Sequence, residues 1–271
     1  MRKKSKLSSF PVVRIVPCVI TLAALCLGLT SIRCSLAGRL EMAIICLFLS
    51  ALFDALDGRV ARFLGCPSQF GAELDSLSDL VCFGVTPAMI MYTTVLMQYS
   101  TIGWAACLYF TVCCALRLAR FNVDQINSAH GTKTEKGKTN LRLFFTGVPA
   151  PAGAILGVFP AIVYLQIQND VALSPIVSIL FLILSGSLMV SRIHTFSSKM
   201  IKIEQKQIIP VILLISLVVI FLIVEPWYTL SVLVLMYAIS IPFGEMRYRK
   251  ILVLNGEAVK KDLANEKTEN I

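Results

Sequence analysis

Residues 41–97 read EMAIICLFLSALFDALDGRVARFLGCPSQFGAELDSLSDLVCFGVTPAMIMYTTVLM, two apolar runs joined by a short polar connection. The runs, at 41–58 and 75–97, approach the roughly 20 residues a helix needs to cross hydrocarbon. Lipid offers no hydrogen bonds to exposed backbone, so runs of this kind cross as helices. Four aspartates, Asp54, Asp57, Asp75 and Asp79, stand where the two runs approach the connection. Acids at the edge of or inside a membrane segment are costly unless paired, so four of them together call for partners of opposite charge.

Outward from this stretch the chain keeps the same character. Of 271 residues, 56% are hydrophobic and only 15% charged, and mean hydropathy is +0.78. The pattern predicts an all-α polytopic transmembrane bundle of about eight spans, near 15–33, 41–58, 75–97, 101–120, 144–165, 171–190, 208–224 and 229–243. Alternation of the kind a β-barrel needs is absent. A basic segment, Arg2 to Lys6, precedes the first run in the manner of a secretory signal. The run from Ile15 to Ile32 is longer than a usual signal core, and it reads as a retained span.

Lysine and arginine gather in cytoplasmic connections. With both termini inside, 23 of the 25 basic residues fall on one side, leaving only Arg33 and Arg39 outside. The expected setting is therefore the inner (cytoplasmic) membrane, crossed many times, with both ends cytoplasmic. The net charge of +9 then faces anionic headgroups, which attract surface basic residues, and speaks for a lipid bilayer as partner rather than nucleic acid. Nine cysteines are present without a Cys-x-x-Cys pair; those in apolar runs read as small hydrophobes. In domain terms the chain divides into a basic segment (1–14), a membrane core (15–200), two additional spans (201–243) and a polar cytoplasmic tail (244–271). His130 and His194 read as solvated loop residues.

The second span runs outside to inside and the third returns, so all four aspartates come to the cytoplasmic face. Asp54 and Asp57 are three residues apart and Asp75 and Asp79 four apart, so each pair shares one helix face. Rises of roughly 4.5 Å and 6 Å along axes about 8 to 10 Å apart would enclose a cluster of oxygens. Four carboxylates repel one another; two divalent cations balance them, and all-oxygen ligation favours Mg²⁺ or Mn²⁺ over zinc. Two such ions clamp both sides of an in-line displacement at phosphorus. Between the acids, Gly58 and Gly71 let a bulky anion approach the backbone and Ala61 keeps its helix face low. Arg62 can fork onto a phosphate. These residues point to a diphosphate-bearing substrate.

The frame Asp54-x-x-Asp57-Gly58-x-x-Ala61-Arg62-x8-Gly71-x-x-x-Asp75-x-x-x-Asp79 resembles the signature of the CDP-alcohol phosphotransferases, with every fixed position present. That resemblance implies a six-helix catalytic core and transfer of a phosphatidyl or similar phospho-group from a CDP-linked donor to an alcohol, releasing CMP. It implies metal ligation by Asp54, Asp57 and Asp75, with Asp79 assisting the metal and removing the acceptor's proton. Gly58, Ala61, Arg62 and Gly71 would form the CDP site. Asp79 lies one turn deeper than Asp75, in the less hydrated position, which suits a positioned base.

Two further stretches, Leu116 to Asn122 and Phe144 to Ala152, are similar to segments of the serine-using branch, as is Leu188 to Arg192. With Pro17 and Thr21 the resemblance covers roughly residues 12–200. It implies CDP-diacylglycerol and L-serine as substrates, and, since relatives form dimers, a homodimer. Arg117, Arg120 and Asn122 are candidates for the acceptor's carboxylate; the same arginines also satisfy the inside-positive pattern. Where the family often has Pro-Asn, this chain has Pro17-Cys18. The same chemistry with glycerol 3-phosphate, choline or inositol phosphate is the nearest alternative. A cation transporter is more remote, because its acids would extend through to the far side, whereas here the outer halves are apolar.

Overall fold

A computed structural model describes residues 11–65, 68–129, 144–167, 173–191, 194–196, 208–243 and 246. The helices are α1 (Pro11–Leu36), α2 (Leu40–Leu64), α3 (Gln69–Asp79), α4 (Thr86–Thr94), α5 (Ser100–Ala129), α6 (Ala150–Gly157), α7 (Phe159–Ile167), α8 (Pro175–Val190), α9 (Ile208–Val224) and α10 (Pro226–Phe243). The chain forms two compact units, residues 1–132 with 149–190 and residues 133–148 with 191–271.

Among the described residues, four helical stretches are long and apolar enough to cross a membrane: Ile15–Leu36, Gln69–Thr94, Thr101–Asp124 and Pro226–Phe243. The pair α6 and α7, bent by 45°, makes a fifth if read as one broken span. Helices α8 and α9 are apolar but shorter. Helix α2 is 25 residues long, with Asp54, Asp57, Arg59 and Arg62 in its second half.

In the first unit, α1 and α2 form a hairpin closed by Gly38 at φ 72°, with the Gly38 and Arg39 amides donating to the Ser35 and Cys34 carbonyls. Helix α2 runs past its expected end at 58 to Leu64. There Gly65 adopts φ 65° and donates to the carbonyls of Ala61 and Arg62, a left-handed cap that favours glycine. Ser68 then caps α3, its Oγ accepting from the Gly71 amide at 3.0 Å. The third span accordingly starts at Gln69 rather than 75, and Asp75 and Asp79 sit in its second and third turns. A helix satisfies its own backbone whatever its side chains, so polar residues do not end it; caps do.

Between α3 and α4, residues Leu80–Val85 form a π-helical turn. Pro87 has no N–H for the Phe83 carbonyl and its ring crowds that oxygen, so the backbone widens and Thr86 bonds five residues back, to Val81. Ser78, Cys82 and Thr86 line up along this rod against α1: Ser78 and Cys82 donate to the carbonyls of Thr21 and Ala24, both at 3.4 Å, and the Thr86 hydroxyl lies 2.9 Å from the Val81 carbonyl and 3.3 Å from that of Gly28. Small polar side chains of this kind hold membrane helices at close range, where lipid gives little hydrophobic drive. Ser31 donates to the Ala43 carbonyl of α2 at 2.6 Å. Helix α5 is fixed to this group by the Thr111 hydroxyl on Gly84 and by the edge-to-face pair Tyr92 and Trp104, 5.2 Å between centroids. It packs also on α8, where Tyr109 and Ser187 hydroxyls meet at 2.9 Å. Phe110, Leu182 and Ile162 are fully buried.

The expected fifth helix, 144–165, differs in two ways. Phe144–Thr146 is a β-strand, β1, paired antiparallel with β2 (His194–Phe196), Phe145 opposite Thr195. Its β-favouring residues find a partner strand far along the chain, which local propensity does not reveal. Helix proper starts at Ala150 after Gly147 (φ 85°), and the bend falls at Val158, just ahead of Pro160. In the second unit, α9 exposes Ile209, Leu213, Ile220 and Ile223, a surface suited to lipid. His194 lies in β2 rather than a loop; His130 lies outside the described residues.

A Cβ built on Gly28 would stand 2.7 Å from Cys82 Sγ. Gly28→Ala is expected to cost about 1–3 kcal/mol through overpacking. Thermal unfolding in detergent should show the lowered Tm, with most of it recovered in the double variant Gly28→Ala/Cys82→Ala.

Candidate functional site

The capped turn between α2 and α3 returns the chain on itself, and the two acidic helix faces meet. One carboxylate oxygen from each of Asp54, Asp57 and Asp75 lies within 4.8 Å of the others. Asp57 is only 4% exposed, and its Oδ2 accepts from the Thr21 hydroxyl of α1 at 2.6 Å. Asp54 and Asp75 are half-buried. Asp79 stands at the end of α3, its carboxyl beside that of Asp54. Thus three of the four aspartates form the tight oxygen group, and the fourth joins it through Asp54.

Asp75 Oδ1 is buried without a hydrogen-bond partner. A buried acceptor without a donor is costly and calls for an explanation. Here it faces two further carboxylates, an all-oxygen donor set of the kind that hard divalent cations take. The residues present therefore fit a metal, and this acidic cluster could hold one.

Beside the cluster is a cavity of about 190 Å³ whose walls include Asp57, Asp75, Gly58, Ala61, Arg62 and Gly71. All four positions read from sequence as the nucleotide site thus share one cavity with two of the acids. The two glycines differ in what they do. A Cβ at Gly71 would come within 3.0 Å of Ser68 Oγ, whereas one at Gly58 would meet nothing within 4 Å. Gly71 therefore makes room for the helix cap. Gly58 is a glycine in mid-helix, unfavourable by about 1 kcal/mol against alanine, with no protein neighbour to explain it.

The three acceptor candidates on α5 part company. Arg120 donates through Nη1 to the Val190 carbonyl at the end of α8, at 3.0 Å. Asn122 and Ser76 of α3 exchange hydrogen bonds at 3.0 and 3.2 Å. Arg117 is the one whose charge acts on Asp54 and Asp79. Successive residues on a helix face different neighbours, and spacing alone does not say which face meets the acids. The hydroxyl of Thr21 on Asp57 is a contact the sequence reading did not foresee. A threonine in an apolar span, at a position within the family resemblance, was its signal.

Residues 14–154 match the model of the CDP-alcohol phosphatidyltransferase family, and residues 207–242 that of CDP-alcohol phosphatidyltransferase 2. The chain belongs to the CDP-alcohol phosphatidyltransferase family. It is 34% identical over 231 residues to a Mycobacterium leprae (strain TN) protein named CDP-diacylglycerol--serine O-phosphatidyltransferase, covering 85% of this chain and 74% of that one. A Helicobacter pylori (strain ATCC 700392 / 26695) protein of the same name is 33% identical over 237 residues, 88% of this chain and 92% of its relative. With one from Mycobacterium tuberculosis (strain ATCC 25618 / H37Rv) identity is 41% over 142 residues, 52% of this chain and 47% of the other. The family match to 14–154 spans α1 to the start of α6 and so includes the whole acidic cluster. The family is metal-dependent in general, and its members' setting agrees with the apolar helices: the chain is a multi-pass integral membrane protein.

Metal that binds the native state at about 100 times its dissociation constant adds roughly 2.7 kcal/mol of stability. Mn²⁺ is therefore expected to raise the Tm of the purified protein. Asp75→Ala should lose most of that rise while its metal-free Tm stays at or above that of the parent, because an unpartnered buried acceptor has gone. An undiminished Mn²⁺ shift in this variant would count against the cluster as a metal site.

Proposed function

We propose that this protein transfers the phosphatidyl group of CDP-diacylglycerol to L-serine, giving phosphatidylserine and CMP. The observation that carries the reading is the shared cavity of Asp57, Asp75, Gly58, Ala61, Arg62 and Gly71, with an oxygen of Asp75 left unpartnered at its acidic end. The names of the relatives support serine as the acceptor.

Asp54, Asp57, Asp75 and Asp79 are proposed to hold two Mg²⁺ or Mn²⁺ ions. When bound, such ions polarise a diphosphate and offset the charge that develops on its oxygens. The residues of the chain do the rest. Gly58 leaves space for the donor's nucleotide to lie against α2, Gly71 and Ala61 line the same cavity, and Arg62 reaches a phosphate. The serine oxygen forms a bond to the phosphorus of the phosphatidyl group, the bond from that phosphorus to the CMP oxygen breaks, and the hydroxyl proton passes to Asp79. Arg117, whose charge acts on Asp79, is the acceptor candidate best placed to orient a serine carboxylate by its planar fork. Arg120 and Asn122 are engaged with partners on α8 and α3 instead.

The proposed membrane arrangement is eight spans, with α2, α8 and α9 crossing alongside the longer helices. The catalytic core occupies residues 15–200, preceded by the basic segment 1–14 and followed by additional spans (201–243) and a polar tail (244–271). Concentration of basic residues on one side supports cytoplasmic termini and the inner membrane. The donor keeps its acyl chains in the bilayer while serine arrives from water. The working form is proposed to be a homodimer.

Purified protein given CDP-diacylglycerol and each of serine, glycerol 3-phosphate, choline and inositol phosphate should release CMP with serine. Release only with another alcohol overturns the acceptor. Asp79→Asn should lower kcat by roughly 10² to 10⁴, the usual worth of a positioned base, with Mn²⁺ binding largely kept. Gly58→Ala should stabilise the protein slightly in the absence of ligand yet weaken CMP binding, read by thermal unfolding and by CMP titration on the same sample.

A further inference from the structure

Thr21 lies on α1, away in sequence from every acid, and is 3% exposed. Its Oγ1 is 2.6 Å from Asp57 Oδ2 and 3.1 Å from the Pro17 carbonyl one turn back. A hydroxyl has a single proton. The shorter contact lies in the range of charge-assisted bonds to a carboxylate, and two acceptors would repel at that distance, so the proton goes to Asp57. That bond holds the Asp57 carboxylate in one orientation, and its remaining lone pairs are available to the group it forms with Asp54 and Asp75.

The hydroxyl is itself held. Pro17, Cys18 and Thr21 form the α1 wall of the cavity, and Ser78 of α3 donates to the Thr21 carbonyl. The residue therefore ties all three helices of the site at one point: its side chain to α2, its carbonyl to α3, its backbone to α1.

We infer that Thr21 is a positioning residue for the metal site, its hydrogen bond to Oδ2 fixing the rotamer of the Asp57 carboxylate within the acidic cluster. This rests on the proposed role of the acidic cluster as a metal site. Groups that orient a metal ligand in this way are typically worth about 10- to 100-fold in metal affinity. The shape of the side chain is not the point; the hydroxyl is.

The experiment uses the full-length protein in detergent, titrated with Mn²⁺ alone and followed by the loss of the free-ion electron paramagnetic resonance signal. Thr21→Val keeps the branched shape and removes the hydroxyl; Thr21→Ser keeps the hydroxyl. Expected is weakening of Mn²⁺ affinity by about 10- to 100-fold in Thr21→Val, recovery to within about 3-fold of the parent in Thr21→Ser, and little change in metal-free Tm for either. Parent-like affinity in Thr21→Val, or equal loss in both variants with a lowered metal-free Tm, overturns the inference. Asp57→Asn separates it from the metal reading beneath it. If Asp57→Asn loses Mn²⁺ while Thr21→Val does not, only the role of Thr21 fails; if Asp57→Asn binds as the parent does, the metal reading fails first.

Discussion

Carboxylates gathered in a water-poor place repel one another, and the arrangement of this protein's first unit follows from tolerating them. Asp54, Asp57 and Asp75 offer oxygens within 4.8 Å of one another, close enough that like charges raise the energy of the site substantially. Several features reduce that cost from the protein's side: the Thr21 hydroxyl on Asp57, the contact between Asp54 and Asp79, and the charge of Arg117 nearby. None of them reaches Asp75 Oδ1. The site is thus held incompletely satisfied by its scaffold, which is how unmet bonding capacity is usually kept where a ligand is to bind.

The scaffold achieves this with small residues. Ser78, Cys82 and Thr86 bring the α3–α4 rod against the α1 backbone, and Gly28 allows the approach at Cys82. Larger apolar side chains would push α1 outward and take Thr21 out of reach of Asp57. The π-helical turn at Leu80–Val85 sits directly after Asp79, where such turns often accompany functional residues. It keeps Ser78 and Thr86 on the same side of the rod although six residues of wider helix intervene.

Packing and chemistry are divided cleanly at the two glycines of the cavity. Gly71 is explained by its neighbour Ser68, and so belongs to the fold. Gly58 is explained by nothing in the protein, and so belongs to whatever the cavity takes. Membership of the CDP-alcohol phosphatidyltransferase family, covering α1 to the start of α6, gives that space a meaning: a nucleotide lying along α2 beside the acids is the proposed occupant. The further match at 207–242 falls on α9 and α10 and extends the likeness into the second unit.

Membrane helices, the antiparallel pairing of acids and the glycines between them were legible in the residues, because hydropathy and spacing along a helix are local properties. Where helices end was less so: α2 continues to Leu64 through charged residues because its backbone bonds are internal, and only Gly65 stops it. The strand at Phe144–Thr146 depends on a partner fifty residues away. Likewise the sequence marked Arg117, Arg120 and Asn122 alike, while tertiary packing gave the first to the acids, the second to the end of α8 and the third to Ser76. Thr21 stood out in the sequence only through the family resemblance, and its meeting with Asp57 was decided when α1 was laid against α2. Spacing along one helix determines which side chains share a face; which face meets which is decided by packing between helices, and that is set by the shapes of residues far apart in the chain.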